Sequence, residues 1–290
     1  MTVTLNSGCK INLLLNILGK RPDGFHELET VIQPIALHDE ISFRKSSAGI
    51  SLRCDNPALP LDGTNLIHRA ATDFLKSANL QSGVEIQLIK KIPIAAGLGG
   101  GSGNAATTLL GLNELFDHPL ALSQLHKLAA VIGSDVPFFL QSQPALASGR
   151  GETVQPLALF PALHGVWALL IHPGFGISTV WAYQSLARFP EDINGRVHRA
   201  HELIGLLQNG NLTEAGASFY NTLEIPVLEK YPILKLFQEF LREHGAKVTL
   251  MSGSGSTTFA LMPSEDEANE LRNRFNAQFG SQNWTALVPI

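Results

Sequence analysis

Cysteine is scarce in this chain: the two present, Cys9 and Cys54, have neither a metal-site spacing nor the numbers for a disulfide framework. That scarcity predicts a reducing, cytoplasmic compartment. Long apolar runs are missing as well. The longest near the start, residues 11–18, is short and carries Asn12 and Asn16, with no basic segment and cleavable apolar stretch ahead of it. Neither a membrane span nor a secretory leader is therefore expected. Positive charge is not in excess. With a formal charge of −4 there is no basic field to draw in nucleic acid, so any phosphate must be met by local geometry, and a small phosphorylated ligand fits better. Internal repeats, charge blocks and low-complexity linkers are absent too.

What is present fits a compact two-domain enzyme. At 290 residues the chain is long for one domain and comfortable for two, and 44% hydrophobic residues can build both cores. With no linker, the two must abut closely. The pattern changes around Pro156 to Pro161, which predicts domains over residues 1–158 and 159–290. In the first, strands are expected at 10–17, 33–43 and 84–90, with helices at 65–78, after the glycine-rich stretch, and at 123–132 up to Gly133. In the second, strands are expected at 166–171, 247–251, 257–262 and 285–290. Helices are expected there at 179–188, 200–207 and 232–244, and one more behind the Ser264-x-x-Glu267 capping box. Antiparallel strands backed by helices imply an α+β sandwich.

The most informative stretch runs from Val84 to Phe116 and reads strand, glycine loop, helix. Val84, Ile86 and Leu88 alternate with Glu85, Gln87 and Ile89 until Lys90-Lys91-Ile92-Pro93 ends the pattern. Gly97, Gly99, Gly100, Gly101 and Gly103 then crowd one short loop, and Ala105, Ala106, Leu109, Leu110, Leu115 and Phe116 follow at helical spacing. Such a loop cradles phosphate: glycines tolerate positive φ and close approach, and free amides at the positive end of the helix dipole face the anion. A Walker loop would need Gly-Lys-Ser/Thr at the helix start, and here Gly101-Ser102-Gly103-Asn104 has no lysine. Gly101-x-Gly103-x-x-Ala106 matches a Rossmann fingerprint formally. Against it stand the alternating strand, its lysine-proline end and the lack of a ribose-binding acid at the usual interval.

Other candidates are ambiguous when taken singly. Lys10 and Asn12 point to one face of an early strand, where a lysine is either a solvated head or a functional cation. Pro22-Asp23-Gly24 reads as a hairpin turn, and Phe25-His26 beyond it are either ordinary packing or an aromatic and an imidazole that receive a heterocyclic base. In Gly133-Ser134-Asp135-Val136-Pro137, either Ser134 or Asp135 simply caps a helix, or Asp135 accepts a proton from a substrate hydroxyl. Ser252-Gly253-Ser254-Gly255-Ser256 is either a hairpin turn or a second backbone surface that meets the glycine loop.

In combination, Lys10-Ile11-Asn12 early, Pro93 to Ala106 in the middle and the late serine/glycine loop resemble the superfamily of galactokinase, homoserine kinase, mevalonate kinase and phosphomevalonate kinase. Lys10-Ile11-Asn12-Leu13, Arg21 to His26, Gly97 to Ser102, Gly133 to Pro137 and His172-Pro173-Gly174 look most like its branch of non-mevalonate isoprenoid synthesis, which phosphorylates a cytidine diphosphate conjugate of methylerythritol. The resemblance spans nearly the whole chain. It implies an N-terminal domain like ribosomal protein S5 domain 2, a C-terminal ferredoxin-like domain, and an active site in the cleft between them. It also implies ATP along Pro93, Gly97, Leu98, Gly99, Gly100, Gly101, Ser102 and Gly103, with Mg²⁺. Asp135 becomes the base, Lys10 its partner, Asn12 a contact near the reacting hydroxyl, and His26 a reader of the cytosine edge, with Phe25 and Tyr183 stacking on the ring. Two departures stand out. Phe25 replaces a common tyrosine, and Gly103 replaces a second serine, which leaves Ser102 as the hydroxyl available there to the metal. A sister kinase would share the loop but not Phe25, His26 and Tyr183; a non-catalytic nucleotide sensor would lose Lys10 or Asp135, and both are kept.

Overall fold

The computed structural model describes residues 2–290, and the chain divides into two compact units, each assembled from several stretches. Of the described residues, the first comprises 2–9, 37–94 and 99–142; the second comprises 10–36, 95–98 and 143–290. Strands β1 (Thr2–Lys20) and β2 (His26–Ser46) are long enough to contribute a segment to each.

In the first unit, β3 (Ile50–Cys54) runs parallel to β4 (Gly83–Ile89), which pairs antiparallel with β2 from Glu40↔Ile89 to Ser46↔Gly83. Along β4, Val84, Ile86 and Leu88 face inward while Glu85 and Gln87 are exposed, as alternation requires. Their partners lie on α1 (Leu66–Ser77), α2 (Gly100–Leu115) and α3 (Leu122–Ile132). Phe43, Phe74, Leu109 and Leu112 are fully buried in that shared core. Asn65 starts α1 by accepting from the Ile67 amide at 2.9 Å.

In the second unit, β2 pairs antiparallel with β5 (Ala145–Gly149), β5 with β6 (Thr153–Pro156), and β1 runs parallel to the short β8 (Tyr220–Asn221). A separate antiparallel sheet has the order β11 (Trp284–Pro289), β7 (Trp167–His172), β10 (Thr258–Met262), β9 (Val248–Met251). The apolar faces of α8 (Pro232–Glu243) and α9 (Glu265–Phe279) close its core through Leu234, Phe237, Leu241, Leu271 and Phe275. Ser264 caps α9 by accepting from the Glu267 amide at 3.3 Å. Three more helices complete this unit: α4 (Thr179–Ser185), α5 (Arg199–Gln208) and α7 (Glu224–Lys230), with the one-turn α6 (Leu212–Gly216) between the last two.

Helices expected at 65–78, 123–132 and 232–244 stand within about a turn of those bounds, and the strands of the second sheet do likewise. β3, β5, β6, β8, α6 and α7 were not expected. No helix among the described residues is long and apolar enough to cross a membrane.

Candidate active site

Lys10 and Asn12 lie in the second unit. Residues Cys9 to Ile17 of β1 are all buried, so this strand is covered on both faces, and Lys10 is only 3% exposed. The solvated-head reading of Lys10 is thereby excluded. Its ammonium donates to the Asn12 Oδ1 and, at 3.3 Å, to the Gly97 carbonyl. Asn12 Nδ2 donates to Thr30 Oγ1 at 2.8 Å, and Thr30 donates onward to the Leu14 carbonyl at 2.6 Å. This relay fixes which end of the Asn12 amide faces the lysine.

The serine/glycine loop is both things the sequence allowed. It joins antiparallel β9 to β10, and it also meets the glycine loop: the Ser252 hydroxyl donates to the Gly97 carbonyl at 2.9 Å and the Thr257 amide to the Ala96 carbonyl at 3.1 Å. Gly97 adopts φ +78°, and a Cβ there would stand 2.1 Å from the Ser252 carbonyl, so glycine is required twice over. Asn221 holds the loop from the other side, donating to the Met251 and Gly253 carbonyls at 2.8 Å each. Neither Asn221 nor Thr30 was singled out from sequence, since an asparagine at a strand end carries no distinguishing pattern.

The glycine-rich stretch divides differently from expectation. Gly97 and Gly99 take positive φ, but α2 begins at Gly100, so Gly100, Gly101 and Gly103 are helical and not loop residues. For Gly103 the reason is packing, because a Cβ would lie 2.3 Å from the Gly8 carbonyl. A serine there would meet that carbonyl unless the backbone shifted. The N-terminus of α2 has no side-chain cap, and its first turn carries no acid. The Gly103 amide makes the first helical bond, to the Gly99 carbonyl at 2.9 Å, which leaves the Gly100, Gly101 and Ser102 amides without intrahelical acceptors. Gly101 is exposed at this open positive end, and Ser102 is half-buried.

Asp135, half-buried, lies in the turn before the 3₁₀ segment Pro137–Leu140. The cap position of that segment is Val136, which makes no side-chain cap hydrogen bond. Pro93, Gly99 to Gly103 and Asp135 belong to the first unit; Lys10, Asn12, Gly97, Leu98, Phe25, His26 and Tyr183 belong to the second.

The Arg21 to His26 turn connects β1 to β2, tied by the Arg21 amide to the Phe25 carbonyl at 2.8 Å and by Phe25 to the Asp23 carboxylate at 3.1 Å. His26 packs its ring against Tyr183 of α4, with centroids 5.3 Å apart. Phe25 is not part of that pair: its ring is 53% exposed, with the Arg150 guanidinium 4.8 Å from its centroid. Burial lowers the pKa of His26, and the charge of Lys20 lowers it further, so its imidazole is neutral near pH 7.

The chain's relatives show its family. The family description "GHMP kinases N terminal domain" matches residues 65–143, and "GHMP kinases C terminal" matches residues 203–281. A protein of Synechococcus sp. strain JA-3-3Ab named 4-diphosphocytidyl-2-C-methyl-D-erythritol kinase is 42% identical over 284 residues, covering 93% of this chain and 88% of that one. The chain belongs to the 4-diphosphocytidyl-2-C-methyl-D-erythritol kinase family. A member from Pelotomaculum thermopropionicum is 40% identical over 276 residues, covering 95% and 94%. A crystal structure of a 4-(cytidine 5'-diphospho)-2C-methyl-D-erythritol kinase superposes with a TM-score of 0.81 at 33% identity over 99% of both chains. Kinases of this family use ATP, and the two-domain architecture expected from the resemblance is the one that the chain adopts.

Proposed function

We propose that this chain transfers the γ-phosphoryl group of ATP to the 2-hydroxyl of 4-diphosphocytidyl-2-C-methyl-D-erythritol, a step of non-mevalonate isoprenoid precursor biosynthesis. Matches over more than nine-tenths of the chain support the reaction. One geometric observation carries its chemistry: the buried Lys10 ammonium lies against the Gly97 carbonyl, 3.3 Å away, inside the stretch that reads as the phosphate cradle. That position puts a positive charge where negative charge would develop on a transferring phosphoryl group.

On this reading the α2 amides at Gly100, Gly101 and Ser102, with Pro93, Gly97, Leu98, Gly99 and Gly103 shaping the approach, hold the ATP phosphates. Phosphoryl transfer is mostly positioning and charge stabilisation. Lys10 offsets negative charge on the transferring group, Asp135 accepts the hydroxyl proton, and Asn12, its amide orientation set by Thr30, contacts the reacting end of the alcohol. Phe25 and Tyr183 stack on cytosine. A neutral His26 offers one donor and one acceptor to its edge.

Among the described residues no three His, Cys, Asp or Glu side chains converge as a metal site. That suits a magnesium ion held mainly by phosphates and water, to which the Ser102 hydroxyl in the first turn of α2 would add a protein oxygen; bound there, it would neutralise phosphate charge. We assign residues 1–158 to an ATP-binding and catalytic domain and 159–290 to a C-terminal domain. The enzyme works in the cytoplasm, on a small-molecule cytidine diphosphate conjugate rather than on nucleic acid or a membrane. The test is product analysis: phosphorus and carbon magnetic resonance of the product formed with ATP should place the new phosphate on the 2-hydroxyl, and phosphate at another position would refute the assignment.

A further inference from the structure

Asp39, on β2, is fully buried, and no step assigned above uses it. Its Oδ1 accepts from the Lys91 amide at 2.7 Å and the Ile92 amide at 2.9 Å. Its Oδ2 accepts from Asn104 Nδ2 at 2.9 Å and from the Lys90 ammonium, which is itself only 4% exposed. Asn104 also donates to Ser7 Oγ at 2.9 Å. One carboxylate thus gathers the last residues before the glycine-rich stretch and a residue in the second turn of the helix after it. The Lys90 ammonium lies under the first turn of α2, 3.1 Å from where a Cβ on Gly100 would stand.

We propose that Asp39 is a positioning residue of the nucleotide site: by clamping Lys91-Ile92 and Asn104 together, it fixes both ends of residues 93–103 and aims the open amides of α2. The physical case is preorganisation. A glycine-rich stretch has more backbone freedom to lose than any other, and a phosphate that had to order it would bind more weakly. Four donors on one buried carboxylate remove that freedom before ATP arrives. The pairing with Lys90 is what lets a carboxylate be buried there, and it leaves no net charge under the helix start.

The proposal rests on reading residues 93–103 as the ATP site, and the test separates the two. Steady-state KM values for ATP and for the alcohol would be measured for Asp39→Asn, for Asp39→Asn/Lys90→Met and for Asn104→Ala. Hydrogen exchange of the 97–102 amides would be followed with and without ATP. Asp39→Asn keeps an oxygen for the two backbone donors but loses the charge and the second acceptor. The double variant removes the stranded ammonium as well, so it folds where the single variant fails, and Asn104→Ala cuts only one arm. Expected are a ten- to hundredfold rise in KM for ATP in the Asp39 variants and about threefold in Asn104→Ala. The KM for the alcohol should stay within twofold, and 97–102 should exchange faster in the absence of ATP. An unchanged KM for ATP in the folded variants, or equal rises in both KM values, would overturn the role of Asp39. If ATP fails to protect 97–102 in the unmodified enzyme, the cradle reading itself falls.

Discussion

Ser252 and Gly97 constrain each other: the Ser252 hydroxyl donates to the Gly97 carbonyl at 2.9 Å, while a Cβ on Gly97 would stand 2.1 Å from the Ser252 carbonyl. The same Gly97 carbonyl accepts from Lys10. The lysine's aim and the contact between the two loops therefore depend on one residue that can be nothing larger.

Gly97→Ala should accordingly damage stability and activity together. Forcing an alanine into φ +78° costs on the order of 1–3 kcal/mol before the collision with Ser252 is counted. Urea denaturation should reveal that loss, and kcat/KM should fall at least tenfold. Wild-type stability would mean that the loop contact is dispensable.

Gly101→Val should behave differently. Gly101 is helical, and a Cβ there would meet only Leu66 Cδ1, at 3.8 Å, so the fold tolerates the side chain. The valine would crowd the exposed amides instead. We expect an unchanged melting temperature with weakened ATP binding by calorimetry; unaltered ATP affinity would remove that amide face from the phosphate site.

Much of this was legible in the sequence because it depends on periodicity and turn chemistry. The alternation in β4, the capping box before α9 and the glycine-to-helix passage all depend on neighbours a few residues apart. What escaped depends on distant partners. β8 is two residues paired to Leu14 and Leu15, and nothing local marks it. Gly103 reads as a loop glycine until the Gly8 carbonyl is seen against it. Lys10 and Phe25 separate the two cases within the site: a strand lysine could be placed on a face, but whether that face is covered, or what stands over a ring, follows only from the folded chain.

Asp135→Asn and Lys10→Met should each lower kcat by about 10²–10⁴-fold, the usual range for a positioned acid or base, with ATP affinity changed far less. Lys10→Met keeps the buried stem filled, so a loss can be read as loss of charge. Near-normal turnover in either folded variant would remove that residue from the mechanism.

Tyr183→Ala should cost ten- to a hundredfold in kcat/KM for the cytidylyl substrate, as expected for about 1–3 kcal/mol of base stacking, with ATP affinity nearly unchanged. His26→Ala should relax discrimination between the cytidine and uridine conjugates. Equal losses for both conjugates would mean that His26 does not read the base.

Acid should destabilise the protein through His172. Burial lowers its pKa, and because Ser256 donates to the Phe175 carbonyl, the Ser256 oxygen is left to accept from the neutral ring Nδ1–H, 3.2 Å away. Below the unfolded value near 6.5 the unfolded chain binds a proton that the folded one resists, so stability is present above that pH and falls as pH drops through it. His26 acts with the same sign. His172→Asn, which keeps a donor near the Nδ1 position, should flatten melting temperature between pH 7 and 5; an unchanged slope would exclude His172.

The most direct test of the central claim is ADP release by the purified enzyme with ATP, magnesium and four alcohols in turn: 4-diphosphocytidyl-2-C-methyl-D-erythritol, free methylerythritol, homoserine and mevalonate. If stacking and base reading supply binding energy remote from the reacting hydroxyl, the cytidine diphosphate conjugate should be turned over and the other three should not. Comparable turnover of any of the three would contradict the account.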